Sequence, residues 1–307
     1  NGSDADIVHL HWINNELLSI KDISKIDKKI VWTLHDMWPF CGTEHYSDQK
    51  RYICGYSTNN KISFGIDWPL YIWNLKKKFL NKNIIFISPS NWMKKKISKS
   101  YLYKNNKNYL VRNPIDTSIW KYRKTNKNKK KLIFAICAFN IIEDERKGLF
   151  KLIEKLNNYN HAYKFEINII GNIKNFNFQT KFKINLLGYI DSELKLSKIF
   201  NSCDALIIPS ETDNFPNVGV EALASGLPVI SLKNNGINEI IKDNFNGKTL
   251  NNFSKQSILK AFKWIHLNKE NKNFNKLISK HAKNILNNQI VAINILKIYK
   301  KILDEKN

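Results

Sequence analysis

Long apolar runs are missing from this 307-residue sequence, and no stretch approaches the roughly 20 apolar residues that a membrane-spanning helix needs. Its first residues do not read as a secretory signal. Cysteine is scarce too. Cys41, Cys54, Cys137 and Cys203 are scattered and form no C-x-x-C pair, which argues against zinc knuckles, dithiol redox motifs and a disulfide scaffold. The expected compartment is reducing and cytoplasmic. Arginine is the third shortage, supplying only four of 50 basic residues. A net charge of +24 would on its own suit nucleic acid or an anionic membrane. Specific nucleic-acid readers rely on arginine for bidentate contacts, and no recognition motif is present, so no nucleic-acid partner is expected. The excess is lysine, clustered at Lys76-Lys77-Lys78 and Lys94-Lys95-Lys96. Such clusters suit peripheral contact with anionic lipid at the inner face of a membrane.

What is present is enough for two packed domains, with 43% hydrophobic and 12% aromatic residues. Short β-branched runs read as strands near 6–12, 29–35, 84–88 and 108–112, then 132–139, 165–171, 183–190, 205–209 and 228–232. Amphipathic stretches at 148–158, 193–202, 254–267 and 274–303 read as helices. Alternation of this kind predicts an α/β architecture of parallel sheets with crossover helices. Residues 123–131 lack apolar periodicity and read as a linker. The expected organisation is a Rossmann-like domain over 1–122, a second over 132–285, and a C-terminal helix over 286–307 returning toward the first. A cleft between two such halves is the usual ligand site.

The most informative segment is 205–230. A buried strand ends at Pro209-Ser210, and a polar loop with Glu211, Asp213 and Asn214 follows. Pro216 suits a helix start, the helix runs through Glu221 to Ser225, and Gly226 with Pro228 ends it. Carboxylates thus lie at the carboxyl end of a strand beside a helix N-terminus, an anion site next to hydroxyl-binding acids. Upstream, Glu143-Asp144-Glu145-Arg146-Lys147-Gly148-Leu149 follows a strand and opens a helix. Arg146 and Lys147 beside Gly148 can meet a diphosphate with charge and backbone donors together. In the first half, Val31-Trp32-Thr33-Leu34-His35-Asp36-Met37-Trp38-Pro39-Phe40 puts His35 at a strand end.

Together these segments resemble the family-4 retaining glycosyltransferases of the GT-B fold, in which two Rossmann-like domains with parallel sheets face a cleft. The run through His35 is similar to that of a bacterial branch acting in exopolysaccharide and lipopolysaccharide assembly. The resemblance implies transfer of a sugar from a nucleotide-diphosphate sugar to a glycan or lipid-linked acceptor, without a metal and with no cofactor beyond the donor. Asp213 and Glu221 fall on the family's two acidic positions, with seven residues between them. The first would contact the donor sugar, with Asn214, Phe215 and Asn217 framing it, and the second would hold the ribose. Arg146, Lys147 and Gly148 would take the diphosphate, Gly188 and Tyr189 would lie beside the base, and His35 would lie near the transferred sugar. Asp213 stands where the family usually has the longer Glu. The family's first strand and its glycine-bearing loop are expected upstream of Asp6, leaving the first domain here incomplete. An alternative is a catalytically inactive subunit that binds the sugar nucleotide.

Overall fold

The computed structural model describes residues 2–13, 17–61, 65–80, 83–125, 130–160, 162–173, 177–271 and 273–305. Part of the expected linker, 126–129, lies outside them. The chain divides into two compact units, residues 1–112 with 292–307 and residues 113–291. In the first unit the elements run β1 (Ile7–Leu10), α1 (Ile20–Ser24), β2 (Lys29–Thr33), α2 (Arg51–Cys54), α3 (Trp68–Phe79), β3 (Ile85–Ser88), α4 (Asn91–Ile97) and β4 (Asn108–Leu110). The second unit contributes β5 (Leu132–Cys137), α5 (Leu149–Asn157), β6 (Phe165–Ile170), β7 (Lys183–Gly188), α6 (Glu193–Ser202), β8 (Ala205–Ile208), α7 (Asn217–Ala224), β9 (Val229–Leu232), β10 (Gly247–Leu250), α8 (Lys255–Asn268) and α9 (Phe274–Leu286). Helix α10 (Asn288–Asp304) closes the chain.

Both sheets are wholly parallel. The first has the order β1-β2-β3-β4 and the second β10-β9-β8-β5-β6-β7. Their strands read as continuous apolar runs because helices cover both faces; all four residues of β3 and of β8 are buried. Helix starts follow local chemistry. Asp67, Ser90, Ser192 and Ser254 each accept a backbone N–H of the first turn of α3, α4, α6 and α8. Gly226 follows α7 at φ +80°, and a Cβ there would lie 2.4 Å from the Asn275 carbonyl oxygen, so only glycine lets the chain turn against α9.

Two expectations need correction. The stretch 274–303 is two helices, because the Leu286 carbonyl accepts from Ile115 N at 2.8 Å and the chain turns extended at Asn287. Asn287 then caps the next helix through its Oδ1, which accepts from Gln289 N at 2.8 Å. Lys76 is fully buried, so the cluster at 76–78 presents only Lys77 and Lys78 outward. Residues 113–123 pack in the second unit, where Trp120 joins the core and Arg123 Nη1 donates to Ser197 Oγ at 2.7 Å.

The end of α10 belongs to the first unit. Tyr299 Oη lies 2.5 Å from His9 Nδ1, and the other ring nitrogen of His9 is 2.8 Å from Thr33 Oγ1. Lys29 Nζ donates to the Ile302 carbonyl at 2.8 Å. Burial, and then the neighbouring His11 and His35, pull the His9 pKa down to about 4. Between that value and the ordinary one near 6.5 the unfolded chain binds the proton and the folded chain does not, so stability falls as pH drops through this window. Thermal denaturation followed from pH 7 to pH 4 should show a falling Tm, and His9→Gln should flatten that slope. A slope unchanged in the variant would place the acid sensitivity elsewhere.

Candidate functional site

The second sheet reverses its direction of growth between β5 and β8, which are paired in space through Phe134 with Ala205 and Ala135 with Leu206. Loops leaving the carboxyl ends of such a pair diverge and leave a crevice. The loop after β5 carries Arg146, Lys147 and Gly148, and the loop after β8 carries Glu211 to Pro216. They meet closely. Gly148 sits at φ +68°, and a Cβ on it would fall 2.3 Å from the Pro209 carbonyl oxygen. Glu211 N donates to the Arg146 carbonyl at 3.1 Å, which fixes one loop to the other.

An ion cluster fills the junction. Lys147 Nζ lies 2.8 Å from Asp213 Oδ2, and Arg146 Nη1 lies 3.5 Å from the same oxygen. Arg146 also donates to the Thr212 carbonyl at 2.8 Å and to Asp144 Oδ2 at 2.7 Å, so it holds the second loop in place. Asp213 is buried. Glu211 points away to the surface, where it pairs with Lys151 at 2.5 Å. Lys147 and Arg146 stand between two carboxylates, Asp213 and Asp144, next to the start of α5, whose dipole favours an anion.

Helix α7 begins just past this loop. Gly219 lets it settle onto β8, since a Cβ there would meet Ile208 and Ile237 side chains at 2.9 Å. Glu221, one turn in, is mostly buried; burial first, and then Glu193, push its pKa up to about 7. The Cys137 thiol at the end of β5 is raised to about 12 by burial and then by Glu221, with Lys147 opposing. Glu221 and Lys147 therefore both lie within electrostatic reach of one thiol. Asn214 and Phe215 are buried. Asn217 Oδ1 accepts from Asn113 Nδ2 at 2.8 Å. Gly188 ends β7, and Tyr189 after it is exposed, with its ring edge-on to exposed Phe139 at 5.5 Å.

His35 lies in the first unit, just beyond β2. Its Nε2 is 3.0 Å from His11 Nδ1, and His11 is itself 4.4 Å ring to ring from His9. Burial, then His11, lower the His35 pKa, with Asp36 opposing. Asp36 accepts from Trp12 Nε1 at 3.1 Å and from Trp38 N at 2.9 Å, and contacts His45 Nδ1 at 2.6 Å. No cluster of side chains among the described residues has metal-binding geometry.

Further residues complete these sites, some of them without a sequence assignment. Asn235 ties the β8 loop down by donating to the Ser210 carbonyl at 2.8 Å, and Gly236 N donates to the Asp213 carbonyl at 3.0 Å. Phe139 and His11 were also unassigned. The alternation of His9 and His11 along β1 was a usable signal, whereas Phe139 meets Tyr189 only through strand order.

Comparison with known proteins speaks to the family and the fold. The profile described as glycosyl transferases group 1 matches residues 118–284, and that of glycosyltransferase family 4 matches residues 2–119. A sulfoquinovosyl transferase of Arabidopsis thaliana is 40% identical over 55 residues, 18% of this chain and 11% of that protein; the chain thus spans a small part of that relative. A sucrose-phosphate synthase structure from Thermosynechococcus elongatus superposes with a TM-score of 0.71 at 13% identity, over 98% of this chain and 74% of that one. Anabaena HepE in complex with UDP and glucose superposes with a TM-score of 0.59 at 15% identity, over 89% and 72%. Two wholly parallel Rossmann-like sheets match the GT-B fold, and the chain belongs to the group 1 glycosyl transferases, with a family 4 segment in its first unit.

Proposed function

We propose that this protein transfers a sugar, with retention of anomeric configuration, from a nucleotide-diphosphate sugar to a glycan or lipid-linked acceptor in cell-surface polysaccharide assembly. The observation that carries the reading is the Lys147–Arg146–Asp213 cluster at the switch point of the second sheet, with Glu221 beside it. HepE, of the same fold, holds UDP and glucose. Lys147, Arg146 and the backbone at Gly148 take the diphosphate; Asp213 with the loop amides of residues 214–217 takes the sugar hydroxyls. Glu221 accepts from the ribose, and Tyr189 with Gly188 lies beside the base. The acceptor oxygen attacks the anomeric carbon from the face the phosphate leaves. The new C–O bond forms as the old one breaks, and the acceptor proton passes to the departing phosphate oxygen. The positive cluster stabilises that leaving group, which is why a divalent metal is not required. His35, held neutral by burial, supports the transferred sugar through hydrogen bonding.

The lysine-rich first unit fits peripheral contact with an anionic membrane. Helix α3 carries no carboxylate, and Trp68, Tyr71, Lys77 and Lys78 are exposed on it; aromatic rings and lysines together suit a headgroup layer. No helix among the described residues is long and apolar enough to cross a membrane.

Lys147→Ala should weaken nucleoside-diphosphate binding in calorimetry by about 1.5–3 kcal/mol, the range for hydrogen bonds to charged groups. Wild-type affinity should also fall as pH drops below about 7, where Glu221 gains its proton and can no longer accept from both ribose hydroxyls. Glu221→Gln should bind more weakly and lose that pH dependence. Unchanged affinity in Lys147→Ala would remove the diphosphate assignment.

Product formed from an α-linked donor should be α-linked by NMR, and turnover should survive EDTA. A β-linked product would overturn the mechanism, activity restored only by Mn²⁺ would overturn metal independence, and donor binding without turnover would make the chain an inactive sugar-nucleotide-binding subunit.

Sedimentation should show binding to phosphatidylglycerol vesicles and none to phosphatidylcholine vesicles, and Lys77→Glu with Lys78→Glu should abolish it. Equal binding to both vesicle types would exclude the electrostatic contact.

A further inference from the structure

Lys76 is the one lysine among the described residues that is fully buried. It lies in α3, and its ammonium reaches the turn that follows His35 and Asp36. Nζ donates to the carbonyls of Trp38 at 2.5 Å, Cys41 at 2.9 Å and Gly42 at 2.7 Å. It also stands 3.7 Å from the centroid of the Trp38 ring. Three carbonyl acceptors match the three protons of an ammonium, and the ring face is a further favourable surface for a cation. Burial pulls its pKa down to about 7, while Cys41, Glu44 and Asp36 act in the opposite direction.

Such a cation is costly to bury and is retained where its partners are many. Here the partners are all one turn. Residues 38–42 carry two backbone bonds of their own to Met37, Phe40 N and Cys41 N donating to the Met37 carbonyl at 3.1 and 3.0 Å. The carbonyls of Trp38, Cys41 and Gly42 converge on Nζ. Asp36 holds the start of the same turn through Trp38 N, and Met37 N donates to the His45 carbonyl at 2.9 Å. The Trp38 ring, pinned by Lys76, lines a small concavity with Trp12, His35 and Asp36.

We propose that Lys76 is a positioning residue, an internal cation that sets the Trp38–Gly42 turn and through the Trp38 ring shapes the wall beside His35. The inference rests on the proposed function only for its kinetic consequence; the role of the cation in the turn stands apart from it. Removing the charge leaves three carbonyls without their donor, and the turn must rearrange to satisfy them.

The test uses Lys76→Met, which keeps length without charge, and Lys76→Ala with added n-propylammonium, which replaces the atoms removed. Both are followed by backbone NMR of residues 36–45 and by UDP-glucose turnover. Both variants should fold, with amide signals of 36–45 displaced and those of the second unit unmoved. Propylammonium should return the Lys76→Ala signals toward wild type, while the same concentration of n-propanol should not. Turnover should fall on the order of tenfold to a hundredfold, the scale of a small misplacement at a reacting centre, with KM for the donor within about twofold. Signals of 36–45 that match wild type in Lys76→Met would overturn the proposal. So would a Lys76→Ala chain that fails to fold with or without amine, since Lys76 would then be a folding element. A wild-type protein that turns over no donor would sink the proposed function and leave the NMR test of Lys76 intact.

Discussion

The contact between Lys147 and Asp213 depends on two strands that are neighbours in the sheet and strangers in the chain. β5 and β8 pair directly, yet Asp204 lies 67 positions after Cys137 in sequence, because β6 and β7 stack on the other side of β5. Right-handed parallel crossovers force that arrangement once the order β10-β9-β8-β5-β6-β7 is adopted. The loops at the two carboxyl ends then have no strand between them. What closes the gap is the approach of Gly148 to the Pro209 carbonyl, and that approach brings the two cations to the carboxylate. A side chain at position 148 would push the loops apart before any charge could act.

Much of this was legible in the sequence because the signals were local. Apolar runs mark nine of the ten strands among the described residues near their observed places, and Pro216, Gly226 and Pro228 bracket α7. β10 escaped because Asn246-Gly247 reads as a turn, whereas Gly247 pairs with Val229 and begins the strand. The break at Asn287 falls beside the expected start of the C-terminal helix at 286, although the amphipathic pattern runs on through it; its agent is remote, the amide of Ile115 taking the Leu286 carbonyl that would have continued the helix. Lys76 was read as surface charge for the same kind of reason. Its neighbours Lys77 and Lys78 are exposed, and nothing in three consecutive lysines marks the one whose helical phase points inward. Periodicity locates a face, while a partner 34 residues earlier in sequence, such as Gly42, decides what that face must satisfy.

Lys76 and Lys147 differ in burial and in what they end on. Lys76, fully buried in α3, ends on the neutral carbonyls of the Trp38–Gly42 turn. Lys147 ends on a carboxylate in a partly open loop, with about a fifth of its side chain exposed. An ion pair of that kind can be traded. A second anion arriving at Lys147 competes with Asp213 without leaving a buried charge unpaired, because Arg146 remains 3.5 Å from the same oxygen.

That exchange bears on the shorter acid at position 213. A glutamate would carry its carboxylate one methylene further out. Asp213 Oδ2 lies 2.8 Å from Lys147 and 3.5 Å from Arg146, on a loop whose backbone is bonded to Gly236 through the Asp213 carbonyl and to Arg146 through Glu211 N. Arg146 Nη1 adds a third anchor at the Thr212 carbonyl. Asn235 braces the loop from the other side, donating to the Ser210 and Leu232 carbonyls with one amide at 2.8 and 3.1 Å. The loop is braced at 210, 211, 212 and 213 in succession, so the carboxylate is held by the backbone and the lysine is left able to change partners.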